Sequence, residues 1–238
     1  MTTKEDTKSI QRTARLAGFL YLLLLPLGIF GLLYVPIAFV VPGDATATAT
    51  NIANSISVYR LSILTALLIQ IVNISVVLTL YQLLKSVNKY MASLMVIFIF
   101  LAAPIAMLSE INQFAVLALL NGTDHLAVFN TAQLQALVVF FLDMHDYGVS
   151  IASIFWGFWL FPMGYLVFKS GFLPKFLGIL LMIGCFGYLI DFFAPFFFPN
   201  LEITVSQFTF IGELLFPLWL LIKGVNVEMW QKRALEFV

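Results

Sequence analysis

The sequence predicts an all-α, polytopic transmembrane helical bundle of six spans with both termini on the cytoplasmic side. Three observations carry that reading. The 238 residues are 62% hydrophobic and only 10% charged, against about 25% charged in a soluble domain. No soluble core hides so much apolar surface, so most side chains must be solvated by lipid. Second, six predominantly apolar runs, residues 16–41, 60–84, 90–119, 136–168, 176–198 and 203–222, each reach the roughly 20 residues that cross about 30 Å of hydrocarbon. Third, that division places eleven of the 12 lysines and arginines on one side and only Arg60 on the other, which by the positive-inside rule is the cytoplasm.

Each element has its own signal. Residues 1–15, "MTTKEDTKSIQRTAR", form a polar cytoplasmic segment. The run after it could imitate a secretory leader, but leader cores measure about 7–15 residues and this one is roughly twice that, so it reads as a retained first span. "VPGDATATATNIANSIS" is a small, polar outer joint, and Arg60 opens the second span. "KSVNK" is a tight basic turn, "NGTDHLAVFNTAQ" a polar outer loop, "KSGFLPK" a second basic turn, and "FPN" closes the fifth span. The fourth helix is expected to start after Asn130, with Asn130 as N-cap and Gln133 as its box partner. That start makes the helix about 58 Å long. Residues 16–222 are thus one six-helix domain, and 223–238 a cytoplasmic segment whose "VNVEMWQKRALEF" suits a short interfacial helix with Trp230 at the headgroups.

Depth along each span follows from the helical rise, counted from the nearest cytoplasmic lysine. Glu213 lies about 15 Å in, Asp191 about 24 Å, Glu110 about 31 Å and His145 about 36 Å. No charge falls in the inner half of a span. A lone charge in lipid costs several kcal/mol, so these groups are expected to face protein or a wet cavity. Helical spacing agrees. Small and polar residues form stripes: Glu110 with Ala103, Ala106 and Gln113; Asp191 with Gly184, Gly187 and Tyr188; Glu213 with Ser206 and Thr209; and Ala66, Gln70, Asn73, Val77 and Tyr81 in the second span. In the fourth span Asp143, Asp146, Tyr147, Ser150, Gly157 and Gly164 share one face, while His145 points to another with Gly148, Ala152 and Trp156.

The candidate ligand-binding residues are therefore Arg60, Glu110, Asp143, His145, Asp191 and Glu213. Arg60, Glu110, Asp143 and Asp191 are expected around one outer-half pocket, with Arg60 within about 4 Å of a carboxylate oxygen. Glu213, the deepest, is expected as a neutral acid or a cation ligand helped by Ser206 and Thr209. Structural readings stand beside these. His145 could hydrogen-bond a carbonyl, Asp143 could be a solvated headgroup-level charge, and Asp191 or Glu213 could be paired scaffold. The D-x-H-D run lacks the i, i+4 ligand spacing of a zinc helix, so no metal site is assigned. No catalytic residue is assigned, and no cofactor is indicated. The lone Cys185 excludes an intrachain disulfide and a thiolate cluster. A net charge of zero without a basic block gives no sign of nucleic-acid binding. "NGT" at 121–123 matches a glycosylation sequon, a triplet common by chance.

The segments "RTARLAGFLYLL", "LQALVVFFLDMHDYG", "GYLVFKSGFLPKFLGILL", "GYLIDFF" and "GELLFPLWLLIKGVN" resemble a family of bacterial integral membrane proteins catalogued as domain of unknown function 4386. The resemblance runs from about Arg12 to Asn226. It implies a multi-pass protein of the bacterial inner (plasma) membrane and carries no reaction or ligand with it. The family pattern includes Arg60, Asp143, His145, Tyr147, Gly148, Asp191, Gly212 and Glu213. Other members carry a further His where Trp159 stands, which speaks against a two-histidine metal site in this chain. Three functional classes remain. The first is a protein that binds or transports a small molecule, ion or lipid. The second is an intramembrane enzyme acting on a lipid or polyprenyl substrate, and the third a scaffold or sensor subunit. The expected partners are the bilayer and a small-molecule or lipid ligand; the sequence sets no oligomeric state.

Overall fold

A computed structural model of the chain describes residues 4–122, 126–198 and 204–236, and among these every regular element is helical. The first helix, α1 (Lys4–Gly28), widens into a π-turn over Ile29–Leu33 and continues as α2 (Tyr34–Ala38). The widening has a cause: Pro36 has no N–H to donate to the Leu32 carbonyl, and a π-turn redistributes the bonds around such a gap. After it come α3 (Ala45–Asn54), α4 (Ile56–Leu84), α5 (Lys89–Asn121), α6 (Thr131–Ser170) and α7 (Lys175–Phe197). The last elements are α8 (Ser206–Thr209), α9 (Ile211–Ile222) and α10 (Val227–Glu236).

The segments Lys8–Ala38, Ile56–Leu84, Lys89–Asn121, Thr131–Ser170 and Lys175–Phe197 are each long and apolar enough to cross a membrane. The sixth run, Ser206–Ile222, meets that measure only together with Val227–Leu235, from which it is bent by 99°. The expected α6 start is found: Asn130 Oδ1 accepts from Gln133 N at 3.0 Å, and Gln133 Oε1 accepts from Asn130 N at 2.9 Å. So begun, α6 runs 40 residues, about 60 Å. One joint differs from expectation. The small, polar stretch after the first span is the helix α3, because Asp44 caps it by accepting from Ala47 N at 2.8 Å. The sequon's Thr123, and Pro199 and Asn200 of the "FPN" joint, lie outside the described residues.

Large apolar side chains cover the outside: Ile37 is 79% exposed, Leu108 63%, Leu64 62% and Phe196 74%. Glutamate, glutamine, asparagine and histidine side chains are meanwhile buried at Glu110, Gln113, His145, Gln70, Asn73 and Glu213. A soluble protein rarely exposes contiguous apolar surface of this extent. The arrangement suits a chain whose outer solvent is hydrocarbon.

The chain forms two compact units, unit 1 (Met1–Leu23, Val72–Ala103, Ala152–Val238) and unit 2 (Leu24–Ile71, Pro104–Ile151). Unit 2 is built on Val35, Phe39, Ile52, Tyr59, Ile63, Val116, Val138 and Leu142. Thr46 Oγ1 donates to Gln135 Oε1 at 2.8 Å and ties α3 to α6.

Unit 1 is held by close helix crossings at small residues. A Cβ on Gly164 would lie 2.5 Å from the Gly178 carbonyl oxygen, so α6 and α7 touch backbone to backbone. Gly18 meets Leu221 and Gly212 meets Leu180 in the same way, and Gly157 meets the Tyr188 side chain at its Cβ. The α9–α10 elbow gathers the rest. Gln11 on α1 donates to Val225 O at 3.1 Å and accepts from Val225 N at 3.0 Å. Asn226 N donates to Phe172 O in the α6–α7 turn at 3.1 Å, and Trp230 Nε1 donates to Leu83 O near the end of α4 at 2.9 Å. The basic N-terminal segment, the α6–α7 turn and the last turn of α4 are thereby bonded to one elbow.

Candidate functional site

In unit 2 the site follows from one tight helix contact. Gly148 on α6 packs against Ser109 on α5 so closely that a Cβ there would lie 2.8 Å from the Ser109 Cβ. Glu110 is the residue after Ser109, and His145 lies three before Gly148 on the same helical face. The crossing therefore sets the two side chains opposite each other. His145 Nε2 is 3.0 Å from Glu110 Oε1, and its Nδ1 is 3.2 Å from Asp146 Oδ1. The His145 side chain is 7% exposed and that of Glu110 5%, whereas Asp146 is 65% exposed and connects the pair to the surface of the unit. One turn along α5, Gln113 Oε1 accepts a hydrogen bond from the buried Tyr59 hydroxyl of α4.

Both imidazole nitrogens meet carboxylate oxygens, and both contacts are satisfied together only when each nitrogen carries a hydrogen. Such a ring is held rather than free to accept a proton from a substrate. With all three groups ionised, two carboxylates and one imidazolium leave one net negative charge in a largely apolar surround. Gly148→Ala should separate α5 from α6 and loosen the pair, lowering stability by about 1–3 kcal/mol. A chemical-denaturation series in detergent against wild type measures that loss.

Two expected members are not brought into this cluster. Arg60 is exposed and pairs with no carboxylate among the described residues. Its neighbour Tyr59 takes the buried face of α4, so Arg60, about 100° further round, points outward. Asp143 is exposed as well. Within unit 2 the buried side of α6 is that of His145 and Gly148, where α5 docks, and Asp143 is exposed, whereas Gly157 and Gly164 further along the Asp143 stripe are buried against α7 in unit 1. Asp146 joins His145 although helical angle had set it apart, since a side chain in the next position can still reach Nδ1. Tyr59 carried no advance signal beyond its place beside Arg60.

Asp191 and Glu213 belong to unit 1. Asp191 accepts from Val205 N at 2.6 Å and from Ser206 N at 2.9 Å, so its carboxylate caps the start of α8. Glu213 is buried on α9, and its Oε2 accepts from the Tyr21 hydroxyl at 3.0 Å. Its other oxygen, Oε1, is buried outside strict hydrogen-bond geometry, with the Tyr188 side chain close beside the carboxylate. Tyr21 packs on Trp159 at 5.5 Å and edge-on to Phe216 at 6.5 Å between ring centres. The expected help from Ser206 and Thr209 is absent among the described contacts. The helix breaks after Thr209, and both residues pack on Gly187 instead. Among the described residues, no three His, Cys, Asp or Glu side chains are grouped so as to hold a metal ion.

Residues 16–224 match the family model described as Domain of unknown function (DUF4386). The chain belongs to the DUF4386 family. An uncharacterized protein of the archaeon Archaeoglobus fulgidus is 35% identical to the DUF4386 chain over 165 residues, 68% of this chain and 83% of the archaeal one. The DUF4386 match spans every candidate residue from Arg60 to Glu213. No solved structure matches the chain.

Proposed function

We propose that this DUF4386 protein is a multi-pass plasma-membrane protein that binds, and in its working cycle moves, a protonated small molecule at the Glu110–His145–Asp146 cluster. The observation that carries the reading is the hydrogen-bonded pair of Glu110 and His145, buried on facing helices of an otherwise apolar unit. Ionisable groups inside membrane helices are costly and by default functional. Two carboxyl groups around one imidazole offer more acceptor oxygens than the ring can use, which favours a partner that donates N–H groups. An intramembrane enzyme using His145 as general base is less favoured, because both ring nitrogens are already engaged. The basic elbow supports a cytoplasmic placement for that end of unit 1, with the N-terminal segment and both basic turns beside it.

The test is thermal stability of the purified protein in detergent, scanned over a series of organic ammonium ions from methylammonium to tetramethylammonium. Wild type and the near-isosteric Glu110→Gln are compared. The expected result is a rise in melting temperature with at least one of these ions in the wild type, flattened in the variant. Superimposable profiles for the two proteins would remove the cluster as a cation site.

A further inference from the structure

The α9–α10 elbow also shapes a groove. Lys223 and Gly224, the latter at φ 68°, turn the chain out of α9, and Asn226 Oδ1 caps α10 by accepting from Met229 N at 3.1 Å. Between this elbow and the α6–α7 turn lies a groove of about 360 Å³, lined by Gly171, Pro174, Trp219, Lys223, Gly224 and Asn226. Lys223 is the charged residue in its lining, and Lys169 and Lys175 bound the turn that forms its other wall, with their Nζ atoms 5.9 and 5.7 Å from the Phe168 ring centre. All three lysines are exposed, and none pairs with a carboxylate among the described residues.

The surroundings of the groove are apolar. Trp219 packs edge-on against Phe176 at 6.4 Å between ring centres, and Phe176 and Ile222 are 49% and 66% exposed. Three unpaired ammonium groups call for an anion, while an exposed apolar surface continuous with α7 and α9 calls for hydrocarbon. A tryptophan ring at such a border is typical of the headgroup level. Soluble anions satisfy the first demand alone; an amphiphile with an anionic head satisfies both.

We propose that this groove binds the phosphate headgroup of an anionic phospholipid, with Lys169, Lys175 and Lys223 as its cations and the acyl chains lying along Phe176 and Ile222. The site does not depend on the Glu110–His145 cluster or on what that cluster binds.

The test uses full-length protein stripped of lipid in a neutral detergent, with melting temperature followed as phosphatidylglycerol, phosphatidylcholine of the same acyl chains, or inorganic phosphate is added. Phosphatidylglycerol should raise the melting temperature by several degrees, and the other two should not. In Lys169→Gln/Lys175→Gln/Lys223→Gln the apparent affinity for phosphatidylglycerol should fall at least about tenfold. Lys85→Gln/Lys89→Gln, at the other basic turn, should retain it. If the triple variant does not fold, Lys223→Gln should weaken the response and Lys223→Arg preserve it. Equal stabilisation by phosphatidylcholine would overturn the proposal, as would an equal loss in the Lys85/Lys89 variant. An equal response to inorganic phosphate would reassign the groove to a soluble anion and overturn the lipid.

Discussion

Gly164→Leu is expected to leave almost no folded protein in detergent extracts of the membrane fraction. At the α6–α7 crossing a Cβ on residue 164 would sit 2.5 Å from Gly178 O and 2.9 Å from Met182 N, and a Cβ on Gly178 would sit 2.6 Å from Phe168 N. These neighbours are backbone atoms, so no rotamer change makes room and the helices must move apart. Overpacking a well-fitted site costs about 1–3 kcal/mol for a few added methylenes, and here the lost contact is the dense crossing itself. Gly28→Leu is the matched control, because nothing lies within 4 Å of its Cβ position. Size-exclusion profiles of the two variants should differ sharply, the control running as wild type. Two indistinguishable profiles would mean that the crossing contributes little.

The second large effect is expected at Glu110. Removing its carboxylate by Glu110→Ala strands His145 in a buried site with only the exposed Asp146 as partner. Breaking one side of a buried ion pair costs about 3–5 kcal/mol when the remaining charge is uncompensated. Here the lower end applies, since Asp146 and water at its side offer partial relief. Glu110→Leu/His145→Leu should recover much of the loss, because the apolar pair leaves nothing unpaired. Unfolding free energies of the single, reciprocal and double variants form a cycle. A coupling near zero would show that the two side chains are neighbours without interdependence.

The two variants also bear on how much could be read from sequence. The helices themselves were legible because apolar runs bounded by basic turns and capping residues are local signals; Asn130 and Gln133 behave as their spacing indicates. The small-residue stripes were legible too, and Gly157, Gly164, Gly184 and Gly187 all sit at helix contacts. Periodicity, however, gives faces and not the identity of the neighbour across a face. Asp143 and His145 lie on different faces of α6, and only the docking of Ser109 against Gly148 decides which is buried. Arg60 points outward because the adjacent Tyr59 is the better core residue, a choice settled by packing against Phe39. Glu213 finds Tyr21, a partner 192 residues away that no spacing rule reaches. Asp191 reads as an intramembrane charge until the cap it makes for Val205 and Ser206 is seen.

The reciprocal bonds between Gln11 and Val225 join residues 214 positions apart. Such a clasp gives the protein an order of assembly. During synthesis α1 emerges and enters the membrane long before its partner exists, and its basic end stays unclasped until residue 225 has left the ribosome. Chains halted before that point can insert all the earlier helices, yet keep Gln11 and the Phe172 and Leu83 carbonyls without their elbow partners. A membrane protease that samples loose helix ends would meet an open end on every unfinished chain and a closed one on every finished chain.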